Sequence, residues 1–132
     1  MFGKEKQYEI NPMTVAILPH YHEIYRSRII DLHGEYYSNK SPLKLIEKAY
    51  LEGGSSLDGR RKSLQHVKNF YQCPPIPINP LENIYAFPTC SPESYECVWL
   101  FYDHIHYYHP KQANTLITFN NQQQLEVKYQ SQ

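Results

Sequence analysis

The stretch Met13-Thr14-Val15-Ala16-Ile17-Leu18, bounded by Pro12 and Pro19, is rich in β-branched and aliphatic residues, which predicts a mostly buried strand. Working outward, Ile24, Ile29, Ile30 and Leu32 are mixed with Arg26 and Arg28. That mixture predicts a strand over 24–32 with one wet face, ended by Gly34, with Glu35 to Ser38 as its hairpin partner. Ser41-Pro42 then forms an N-cap and first-turn pair, because the hydroxyl can accept an orphan N–H and proline has none to leave unsatisfied. Leu43, Ile46 and Tyr50, flanked by Leu45 and Ala49, recur at helical spacing until Gly53, predicting a helix over about 41–52. A second helix is expected over about 58–71, capped by Asp58, striped by Leu64, Val67 and Tyr71, and stopped by Cys73-Pro74-Pro75.

Six prolines between Pro74 and Pro92 leave Ile84 to Phe87 as the good strand candidate there, with the rest as coil or edge. Cys97 to Tyr102 and Ile105 to Tyr108 read as strands near the core, broken around Asp103 or by a bulge. Thr115 to Phe119 and Leu125 to Tyr129 flank Asn120 to Gln124 as a hairpin with a five-residue loop. Leu125, Val127 and Tyr129 alternate with Gln124, Glu126 and Lys128, so one face of that last strand is wet. The fold class is α+β, with two helices interrupting a mainly antiparallel β-chain.

A chain of 132 residues supports one core, so residues 1–132 are expected to form a single domain. No stretch approaches the roughly 20 apolar residues of a membrane span, and no apolar segment follows the charged N-terminus, so a cytoplasmic address and no membrane partner are expected. Three cysteines, Cys73, Cys90 and Cys97, cannot all pair, which fits reduced thiols.

Thirteen basic and thirteen acidic side chains cancel, whereas nucleic-acid-binding domains usually carry a positive excess. A neutral total can still hide a basic face, because affinity for phosphate follows local clustering. The densest cluster is Gly53-Gly54-Ser55-Ser56-Leu57-Asp58-Gly59-Arg60-Arg61-Lys62, where small residues run into three cations at the expected start of the second helix. Cations there oppose the helix dipole, so helix stability does not select them, and a bound anion reverses the sign. Free N–H groups, the dipole and guanidinium groups together make a phosphate-binding corner that glycines let a backbone approach. The plainer alternative is a solvated charge run on an exposed turn. The segment has no Walker A pattern.

This block resembles the Gly-Ser-Ser-x-x-Gly-Arg-Lys block of the ComK family of competence transcription factors, and other blocks follow in order. Asn11 to Pro19 is similar to the family's N-terminal strand, Lys40 to Ile46 to its Pro-Leu-x-x-Ile segment, and Pro74 to Thr89 to its proline-rich segment. Cys97-Val98-Trp99 and His104-Ile105-His106 resemble its Cys-x-Trp and His-x-His positions. The resemblance spans about Tyr8 to Tyr129. It implies a non-enzymatic transcription activator of DNA-uptake genes, without a cofactor. Such a protein binds paired A/T-rich boxes of double-stranded DNA, largely through the minor groove, as a homo-oligomer. The narrow, negative minor groove of A-tracts admits a few Arg or Lys side chains without a large basic surface.

The DNA-binding role is carried over to Arg60, Arg61 and Lys62, with Lys40 and Lys44 as neighbours at the preceding helix start. Arg26 and Arg28, two apart, either extend that patch or lie on a solvated strand face. Longer family members continue past the final hairpin into a C-terminal region. From that difference three alternatives are expected: a form that binds without activating, one that escapes the adaptor-mediated proteolysis linked to that region, or a shortened paralogue that modulates a full-length partner.

Competing chemistry centres on Cys90, Cys97, His104, His106 and His109, which offer thiolate and imidazole ligands in a spacing that matches no known zinc finger. Hence no metal is assigned. Cys97 with His104 or His106 is the candidate nucleophile and base, but no catalytic fingerprint accompanies the pair. Thirteen tyrosines and Trp99 offer stacking platforms for single strands or subunit contacts. Tyr36-Tyr37 and Tyr107-Tyr108 each put one ring on either side of a strand, so half of these rings are expected to be exposed.

Overall fold

The computed structural model describes residues 7–53 and 75–128. In chain order these form β1 (Thr14–Pro19), β2 (Ser27–Asp31), β3 (Gly34–Ser38), α1 (Pro42–Gly53), β4 (Ile76–Asn79), a 3-10 turn (Pro80–Glu82) and β5 (Ile84–Pro88). There follow β6 (Trp99–Phe101), a second 3-10 turn (Tyr102–His104), β7 (Ile105–Lys111), β8 (Asn114–Phe119) and β9 (Gln124–Val127). Strands β1 to β6 make one sheet in the order β3-β2-β1-β6-β5-β4, and β7-β8-β9 make another. Every pairing is antiparallel.

Side-chain alternation across the larger sheet generates two cores. Ile17, Ile29, Ala86, Trp99 and Phe101 point to one face, where Leu45 and Ile46 of α1 cover them. Ala16, Ile30, Phe87 and Leu100 point to the other, against Ile117, Phe119 and Val127 of the smaller sheet. The six-stranded sheet is therefore the middle of three layers. Its short central strand is buried on both faces, with Trp99, Leu100 and Phe101 no more than 2% exposed.

This layering corrects the expectation of one wet face on the second strand. Ile29 and Ile30 are both buried on opposite faces, because α1 covers one side of the sheet and the smaller sheet the other. Ile24 lies 60% exposed in the segment before β2, outside the strand. Tyr36, Tyr37, Tyr107 and Tyr108 are all exposed, not half of them, because β3 and β7 are edge strands beyond the covering layers. The expected break near Asp103 is the second 3-10 turn, which carries the chain from one sheet to the other.

The proline-rich stretch contributes β5 as expected, plus β4 as an edge strand, where the missing Pro77 N–H costs no inner ladder bond. The β8–β9 loop has four residues rather than five, since Gln124 pairs with Thr118 and opens β9. At the β2–β3 turn, Gly34 has φ +140° with nothing within 4 Å of where a Cβ would lie, so conformation and not space selects glycine.

The segment before β1 is fastened to the sheet by a buried polar cluster. Tyr8 Oη donates to Asp31 Oδ2 at 2.6 Å and lies 2.7 Å from Thr14 Oγ1, while the His33 N–H donates to Asp31 Oδ1 at 2.8 Å. Asp31 is 6% exposed, so these donors supply the hydrogen bonds a buried carboxyl needs. Burial, reinforced by Asp31, pushes the Tyr8 phenol well above its ordinary pKa. The architecture is mainly antiparallel β with one helix among the described residues. The second expected helix, over 58–71, lies outside them.

Candidate nucleic-acid interface

The start of α1 is built by the residues that predict it. Ser41 Oγ accepts the Lys44 N–H at 3.3 Å, and the Ser41 carbonyl accepts the Leu45 N–H at 3.1 Å, with Pro42 in the first turn. The connection into the helix is held from both sides. The Lys40 N–H donates to Ser38 Oγ at 3.1 Å, and Ser27 Oγ donates to the Lys40 carbonyl at 2.6 Å. The backbone of Lys40 is thus fixed on β2 and β3.

Cations divide into two groups. Arg28 grips Glu35 with two hydrogen bonds of 3.1 Å each, and Lys48 reaches both Glu9 and Glu52 at 3.0 Å. Lys111 lies 3.7 Å from Glu126. These pairings hold the Glu35 carboxyl below its ordinary range and raise the Arg28 and Lys48 groups, the hydrogen bonds being the largest cause in each case. Glu126 is also lowered, chiefly by the amide of Asn114 and then by Lys111.

Arg26, Lys40, Lys44 and Lys128 form no ion pair with any described residue. The first three gather where β2, β3 and α1 meet, since the Arg26 N–H donates to the Ser38 carbonyl at 2.8 Å. One turn separates Lys44 from Lys48 on α1, yet among the described residues only Lys48 finds carboxylate partners. Arg26 lies before β2, so it does not share a strand face with Arg28 as the sequence reading allowed. Arg60, Arg61 and Lys62, the principal residues of that reading, lie outside the described residues, as does the glycine-rich turn beyond Gly53.

The alternative cysteine and histidine site is not assembled. Among the described residues no three His, Cys, Asp or Glu side chains converge as a metal site would need. Cys97 Sγ is buried and donates to the Cys90 carbonyl at 3.6 Å. Burial pushes its pKa up to about 11, the reverse of what a nucleophile or thiolate ligand requires. His104 belongs to the 3-10 turn and bonds the Pro12 carbonyl through Nε2 at 2.7 Å, whereas His106 sits on β7 against Tyr107, so the two do not share a strand face.

Sequence reasoning missed a cleft beside this region, lined by Arg26, Ser41, Pro42 and Trp99 among others. Its residues are far apart in the chain, and no local pattern announces it.

Fold and surface together define a layered, mainly antiparallel β protein whose unneutralised described cations concentrate at the start of its helix. A family model described as ComK protein matches residues 5–132, and the chain belongs to that family. It is 31% identical over 126 residues to a competence transcription factor of Bacillus subtilis (strain 168). That match covers 92% of this chain and 65% of the relative, so the chain spans just under two thirds of that protein's length. No solved structure matches the chain. Among the described residues, no helix is long and apolar enough to cross a membrane.

Proposed function

We propose that this protein is a cytoplasmic regulator of competence genes that acts by binding double-stranded, A/T-rich promoter DNA through the minor groove, as a homo-oligomer and without catalysis. Family membership across residues 5–132 carries the reading, because the matched range includes the Gly53 to Lys62 block as well as the start of α1. Arg60, Arg61 and Lys62 enter or flank the groove, and Lys40 and Lys44 contact phosphates beside them. The absence of ion-pair partners for Lys40 and Lys44 among the described residues supports this, since a charge already neutralised releases fewer counterions on binding DNA. A zero net charge is compatible with the mode, because a narrow minor groove concentrates negative potential on a few inserted cations.

The test is a gel shift comparing an A/T-box duplex with a G/C-rich duplex and with single strands, repeated with R60A/R61A. Preference for the A/T duplex, lost in the double variant, is the expected result. Equal binding of all three nucleic acids, or an unchanged shift with R60A/R61A, contradicts it.

A further inference from the structure

Between the segment after β1, the start of α1 and the segment before β6 lies a cleft of about 620 Å3, within the size range of small-ligand sites. Its walls are apolar and ring-shaped, with Pro42 and Leu43 on the helix side and Trp99 from the central strand. Tyr21 and Tyr95 span its rim, the Tyr21 Oη donating to the Tyr95 carbonyl at 3.2 Å with the rings edge-to-face at 6.3 Å.

Trp99, 1% exposed, closes the cleft on its core side. His22 supplies a donor at the cleft. His22 Nδ1 accepts the backbone N–H groups of Ile24 at 3.1 Å and Tyr25 at 3.3 Å, so the neutral ring carries its proton on Nε2. Charges of both signs complete the lining. Arg26, Glu23 and Glu93 all border the cleft, and none of them forms an ion pair with a described residue.

We propose that this cleft binds an apolar amino acid or short apolar peptide by both of its charged ends. The ligand carboxylate takes the donors of Arg26 and His22, its ammonium faces Glu23 and Glu93, and its apolar body lies against Pro42, Leu43 and the tyrosines. A pure anion meets two carboxylates at the mouth, and a pure cation meets Arg26, so a zwitterion is the better complement. The inference is independent of DNA binding.

Trp99 is the sole tryptophan, so its fluorescence reports directly on the cleft. The dipeptide Leu-Phe is titrated into the full chain, followed by fluorescence and calorimetry, beside its C-terminal amide and its N-acetyl form. Saturable binding of Leu-Phe is expected, about tenfold or more tighter than either blocked form, as a charge-assisted hydrogen bond requires. R26A, on an exposed segment, should weaken the dipeptide about tenfold while leaving the amide unchanged. E23Q/E93Q should weaken the dipeptide but not the acetylated form. No saturable binding of Leu-Phe overturns the proposal. So does equal binding of all three ligands, or an affinity indifferent to R26A and E23Q/E93Q.

Discussion

Strands β6 and β7 are consecutive, joined by one 3-10 turn and similar in aromatic and β-branched content, yet they have opposite environments. Trp99, Leu100 and Phe101 are sealed between two layers, whereas every residue of β7 from His106 to Lys111 is exposed. Strand position produces the difference. β6 pairs with β1 and β5 in the middle of the larger sheet, while β7 is an edge that pairs with β8 alone. Aromatic β-content therefore marks a residue as strand-forming without saying whether it will be core or surface. The cations repeat the lesson, since Lys44 and Lys48 are chemically identical and one turn apart, and only the second is paired with a carboxylate among the described residues.

The sharpest way to break the contrast is truncation. Phe101→Ala should cost about 3–5 kcal/mol of unfolding free energy in denaturant titration, whereas Tyr107→Ala on β7 should stay within about 0.5 kcal/mol. Comparable losses at both sites would remove the distinction. A second effect concerns alkaline pH. The Cys97 thiol, raised by burial to about 11 from an ordinary 9, stays neutral in the fold while the unfolded chain ionises. Stability from this group is fully present below pH 9 and lost as pH rises toward 11, with Tyr8 adding to the loss above its ordinary value of 10. Cys97→Ala should flatten the pH dependence of unfolding over that window. Smaller still, Ser41→Ala should cost about 1 kcal/mol by leaving the Lys44 N–H uncapped. The half-exposed Arg28–Glu35 pair should show a coupling of only about 0.2–1 kcal/mol in a double-mutant cycle.

What could be read directly from the sequence was local. Pro12 and Pro19 frame β1, Ser41-Pro42 and Gly53 frame α1, and the Gln-rich turn precedes β9, each because its own residues constrain the backbone there. Sheet order was not legible, since the pairing of β1 with β6 joins Ala16 to Leu100 and depends on non-local burial. Arg28 made β2 look half-wet, because sequence does not show that Glu35 neutralises its guanidinium while Ile29 and Ile30 enter separate cores. The polar role of Asp31 was equally hidden, depending as it does on Tyr8 arriving from before β1. Of the candidate DNA contacts, Lys40 precedes α1 and Lys44 lies in its first turn, while Arg60, Arg61 and Lys62 lie beyond the described residues. The cleft around Trp99 combines three distant segments and carries no motif.

Lys40, Lys44, Arg60 and Arg61 are the cations proposed to meet DNA. The most direct measurement is the salt dependence of affinity for an A/T-box duplex, comparing K40A, K44A and R60A/R61A with K111A, whose lysine is already paired with Glu126. Each lost phosphate contact should lower the slope of log affinity against log salt by about one unit, so K40A and K44A fall by about one and R60A/R61A by about two. K111A should leave the slope where it was. Slopes unchanged by K40A, K44A and R60A/R61A, or lowered as much by K111A, would contradict the account.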